Sequence, residues 1–132
     1  MSSIARYFND ETQWYGAPSL ILSAEQSTDL QPLADALDRL TAKPISLKAI
    51  GFRFYDLDDV VLEAAAAYSA DTTGPVIRLK LPSEAVDKLA AAAAGLLGHP
   101  GQRQSGHHYV DLPDGLTIQL CLGEYDSTTL LK

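Results

Sequence analysis

Apolar and polar positions change their period several times along this chain, and each change marks an element. The segment 19–24 is short and largely apolar, which predicts a buried strand. Over 26–44 the period becomes helical. Leu30, Leu33, Ala34, Leu37 and Leu40 share one face, with Asp35, Asp38 and Arg39 on the other. Ser27 or Thr28 is the expected N-cap and Pro44 the stop, giving a helix over about 28–42. Pro32 then falls in the first turn, where its missing N–H costs little. Residues 45–55 read as one strand bent at Gly51.

The same succession comes round again. In 75–82 Ile77, Leu79 and Leu81 alternate with Arg78 and Lys80, the period of a half-buried strand. A second helix follows over 83–97, with Ser83 as expected N-cap and Gly98 at its end. Its Val86, Leu89, Ala90, Ala93 and Leu96 stand 56 positions after Leu30, Leu33, Ala34, Leu37 and Leu40. Two further strands are expected at 107–112 and 116–122, joined by Pro113-Asp114-Gly115. Proline presets φ there and glycine accepts the left-handed conformation that closes a hairpin. Asp56-Leu57 precedes Asp111-Leu112 by 55 positions. Residues 62–69 have strong helix propensity. The alternation of Val60, Leu62, Ala64 and Ala66, and their match to 115–122, favour a strand instead.

These matches predict an α+β two-layer sandwich built from a tandem βαββ pseudo-repeat, about 19–67 and 75–123. The sheet is expected to be largely antiparallel with both helices on one face, in a single domain over 1–132. Residues 1–18 form an N-terminal arm carrying Tyr7, Phe8, Trp14 and Tyr15, expected to tie onto the protein's own core or onto a second subunit. The uncovered sheet face would collect Lys48, Arg53, Tyr55, Arg78, Lys80, His107, Tyr109, Thr117 and Gln119, either as a solvated surface or as a recognition face.

Charge narrows the function classes. Seventeen acidic against ten basic residues give a net charge of −7. Nucleic acids and anionic membranes are therefore not expected partners, and a basic protein is. The one cysteine, Cys121, cannot form an intramolecular disulfide. The N-terminal residues lack the apolar core of a signal peptide, and the run 89–98 is too short to span a bilayer, so a cytoplasmic protein is expected.

Candidate chemistry is sparse. His107 and His108 are adjacent in a strand and point to opposite faces, and His99 lies in a loop without ligands at useful spacing, so no metal site is expected. A Ser105–His107–Asp111 triad would lie too close along one strand to converge. The loop 98–106 contains Arg103 but not the lysine and hydroxyl of a phosphate cradle. No cofactor and no catalytic residue is expected. Two acidic corners remain, Asp56, Asp58 and Asp59 in one half and Asp111 and Asp114 in the other, with Tyr55 and Tyr109 beside them. They form the expected partner-binding set.

The leading functional expectation is a small acidic protein-binding module, of the kind that neutralises a basic bacterial toxin as an immunity protein or antitoxin. One alternative is a small-molecule-binding protein or enzyme that uses a cleft between the two halves. Another is a homodimeric secretion chaperone or assembly subunit. The sequence leaves monomer and homodimer both open.

Overall fold

A computed structural model describes residues 3–9, 18–55, 57–98 and 106–123. In chain order the elements are β1 (Ser3–Phe8), β2 (Ser19–Ala24), α1 (Ser27–Asp38), β3 (Ile45–Ser46), β4 (Phe52–Tyr55), β5 (Asp59–Ala64), β6 (Ser69–Asp71), β7 (Val76–Leu81), α2 (Ser83–Leu97), β8 (Gly106–Asp111) and β9 (Thr117–Leu122). The α+β class and both helices match the sequence reading, and 59–64 is a strand.

The strands form two mixed sheets rather than one. Five strands run in the order β4-β1-β2-β9-β8 and four in the order β3-β5-β7-β6. Hairpin neighbours pair antiparallel, as in β1–β2 and β8–β9. The sheet centres are parallel: β2 pairs with β9 and β5 with β7, each over six residues. The expected βαββ units are therefore not self-contained. Each half gives its first strand, β2 or β7, to one sheet and its last, β5 or β9, to the other. A fully buried run such as Ser19–Ala24 fits this place, since a central parallel strand is covered on both faces.

Gly51 explains how one expected strand became two. The segment 45–55 breaks into β3 and β4, which belong to different sheets. Between them the chain turns: Phe52 N–H donates to the Leu47 carbonyl at 3.0 Å, and Gly51 has φ 109°. That dihedral is open to glycine and strained for other residues. For the same reason no hairpin joins β4 to β5. The second expected hairpin is real. Leu112 N–H bonds the Leu116 carbonyl at 2.8 Å, and Gly115 closes the turn with φ 93°.

The helix ends also differ in detail. Gln26 and Pro82 occupy the N-cap positions, without side-chain caps, so Ser27 and Ser83 are the first helical residues. α1 stops at Asp38, short of the expected 42, and Pro32 lies inside the helix beyond its first turn. The expected N-terminal arm contains a core strand, β1, with Ile4, Ala5 and Phe8 buried. Trp14 and Tyr15 lie outside the described residues.

One apolar core joins the parts. Leu22 and Leu120 from the larger sheet, Leu62 and Leu79 from the smaller, and Leu33 and Leu89 from the helices belong to a single buried cluster. Each such side chain contributes roughly 1.5–3 kcal/mol on leaving water. The smaller sheet turns its other face outward, with Glu63 opposite Lys80 and Asp71 opposite Arg78. Among the described residues no helix is long and apolar enough to cross a membrane.

Candidate functional site

The residues singled out from the sequence divide into three groups. Asp59 is structural. Its carboxylate accepts from the Ser46 hydroxyl, from Lys48 N–H at 3.0 Å and from Val60 N–H at 2.8 Å, which pins the 46–49 turn to β5. Asp58 is exposed beside it. Asp56 lies outside the described residues, as do His99, Arg103 and Ser105.

Tyr55 is also engaged. The Arg6 guanidinium sits 4.0 Å from the Tyr55 ring centroid and 4.6 Å from that of Phe8. β4 and β8 are opposite ends of the larger sheet, so Tyr55 and Tyr109 stand about 19 Å apart, four interstrand spacings. Both face the same side, in a row that runs Tyr55, Arg6, Ile21, Gln119, Tyr109. That face is not the open polar surface expected. Ile4, Ile21, Ser23, Gln119 and Cys121 are buried at its centre. Gln119 Nε2 donates to Cys121 Sγ at 3.2 Å, while Ser23 Oγ has no hydrogen-bond partner among the described residues. Arg78 and Lys80, assigned to this face from the sequence, belong to the other sheet, and Lys48 lies in the turn after β3.

The third group comes together. Among the described residues Tyr109 on β8 is the exposed large apolar side chain, 54% accessible, with its ring edge-on to His107 at 5.0 Å. Asp111, two residues on, accepts from the Thr117 hydroxyl at 2.9 Å and keeps an exposed position. Both border a groove of about 520 Å³ between β8 and α2, whose helical wall is Lys88, Ala91 and Ala92. A smaller hollow continues it beneath the hairpin, where Asp111 and Lys88 meet Pro113.

Why the groove forms here is visible in α2. Its alanines keep the helix wall low, and Gly95 lets the strand approach. A Cβ at Gly95 would stand 3.3 Å from His108 Nε2. His108 therefore packs on the helix side of β8, while His107 and Tyr109 occupy the other side. The helical contribution was not anticipated from the sequence. A glycine inside an alanine-rich helix was the available sign of a close approach.

Asp114 anchors the hairpin instead of bordering the groove. It accepts from Leu116 N–H at 3.1 Å and from the Tyr68 hydroxyl at 3.0 Å. Burial, and then this carboxylate, push the Tyr68 hydroxyl well above the usual phenol range. The two acidic corners are far apart. Asp59 opens β5 opposite Val76, whereas Tyr68 precedes Ser69, which sits opposite Lys80 near the far end of β7.

Among the described residues no group of three or more His, Cys, Asp or Glu could hold a metal ion. Cys121 is fully buried. Comparison with known proteins finds no matching family, no matching curated protein and no matching solved structure.

Proposed function

We propose that this chain is an acidic protein-binding module that engages a basic protein through the α2–β8 groove, in the manner of an immunity protein or antitoxin in the cytoplasm. One observation carries the reading: an exposed tyrosine and an aspartate on the outer face of the edge strand β8, which with the small side chains of α2 borders a groove. Tyrosines so placed anchor interfaces, because a rigid amphipathic ring buries much area at little entropic cost. A net charge of −7 adds long-range attraction for a basic partner and disfavours nucleic acid.

Charge and anchor act on different rates. Asp111 contributes to encounter, and Tyr109 to residence time. The test is surface plasmon resonance against the protein that co-purifies with the tagged chain. Tyr109→Ala is expected to speed dissociation and weaken binding by about 1–3 kcal/mol. Asp111→Asn keeps an acceptor for Thr117 and is expected to slow association, with an effect that shrinks as salt rises. Unchanged rates in both folded variants remove the groove as the interface. A partner that is itself acidic removes the electrostatic reading.

A further inference from the structure

α2 has a second flank, turned away from β8. Its Ser83, Val86, Asp87 and Ala90 recur at helical i, i+3, i+4, i+7 spacing and line a cleft of about 680 Å³. The opposite wall comes from the end of α1, with Leu37, Asp38 and Leu40, and the floor from residues 64–66 where β5 ends. The cleft therefore takes its walls from both halves of the chain. Its volume lies within the range of small-molecule sites.

The lining has a definite chemistry. Leucine, valine and alanine side chains supply apolar walls, and the alanines keep the floor open. Asp38 and Asp87 supply negative charge, and neither has an ion-pair or hydrogen-bond partner among the described residues. The ion pair of α2 joins Lys88 to Glu84 instead, at 3.3 Å. α1 also directs its negative pole here, with no basic residue in its last turn. Arg39, just beyond, reaches back to the Asp35 carbonyl. The positive pole of α2 already has Glu84 in its first turn.

We propose that this cleft binds a small organic cation with an apolar body, an alkylammonium or alkylguanidinium compound. The body lies against Leu40, Val86 and Ala90, and the head group meets Asp38 and Asp87. This site is separate from the α2–β8 groove and does not depend on a protein partner.

The probe is n-hexylammonium, with n-hexanoate and n-hexanol as controls of the same body and different charge. Binding is followed by amide chemical shifts on the intact chain. Saturable shifts confined to residues 64–66, Val86 and Ala90 are expected, strongest for the ammonium and weakest for the carboxylate. Asp38→Asn with Asp87→Asn should weaken hexylammonium roughly three- to tenfold and leave hexanol unchanged, as two exposed carboxylates allow. Ala66→Trp should occlude all three probes. Hexanoate binding as well as hexylammonium overturns the proposal, and so do non-saturating shifts spread over the acidic surface.

Discussion

Asp59 and Asp58 are neighbours of identical chemistry with opposite consequences, and the difference is the partners within reach. Asp59 accepts two hydrogen bonds from the segment that crosses between the sheets and a third from Val60 N–H on its own strand. Asp59→Ala leaves two backbone N–H groups and a hydroxyl without their acceptor. It is expected to destabilise by about 2–3 kcal/mol, whereas Asp58→Ala should fall within about 0.5 kcal/mol of the parent in urea unfolding. Equal effects would mean that the turn is held by something other than this carboxylate. Tyr68 carries a pH signature. Burial and Asp114 raise its hydroxyl above its ordinary value, so the folded state holds a proton that the unfolded chain releases near pH 10. The contribution is complete below that pH and fades as pH rises above it. Tyr68→Phe should cost about 1 kcal/mol at neutral pH. It should also flatten the decline in stability between roughly pH 10 and 11. An unchanged alkaline slope would assign that decline to other groups.

Elements were legible where pattern and punctuation agree over a short span. The two helices, the Pro113-Asp114-Gly115 hairpin and the alternating strand Val76–Leu81 all depend on neighbours within a few residues. Sheet membership does not. Alternation in 45–55 states which face each residue takes, but not that the chain changes sheets at Gly51. The candidate site shows the same limit. Tyr109 and Asp111 are two residues apart on one strand, so their association was readable. Their wall of Lys88, Ala91 and Ala92 comes from an element whose packing no local pattern specifies. Gly95 is where element and packing compete. In a helix, Gly→Ala adds about 1 kcal/mol of propensity. Here the new methyl would stand 3.3 Å from the exposed His108 ring, which must shift by a few tenths of an ångström. Gly95→Ala is expected to stabilise by less than about 1 kcal/mol, and by the full amount when His108→Ala is already present. A double-mutant cycle by thermal unfolding reads the coupling. Strict additivity would show that the ring exerts no pressure on the helix.

At the scale of the molecule, the decisive fact is that neither half owns a sheet. β2 and β5 come from the first half and β7 and β9 from the second, yet the six-residue parallel contacts are β2–β9 and β5–β7. Each contact lies at a sheet centre and joins apolar faces: Leu20 to Ile118, Leu22 to Leu120, Val60 to Ile77 and Leu62 to Leu79. Separating the halves would turn four central strands into exposed edges and open leucine-rich faces to water, the condition that drives aggregation. The correspondence in sequence between the halves therefore carries a different structural meaning from two modules placed side by side. A cut in the exposed turn between Thr73 and Gly74 tests this, because a Cβ at Gly74 meets no atom within 4 Å and the turn is open to solvent. Residues 1–73 and 74–132 are expected to be unfolded or aggregated when prepared separately. Mixed from denaturant at equal concentration, they should recover one cooperative unfolding transition and the circular dichroism of the intact chain. Their apparent stability should rise with fragment concentration, since folding has become association. If either fragment folds alone with a cooperative transition of its own, the sheets can be completed within one half and the exchanged pairing is wrong.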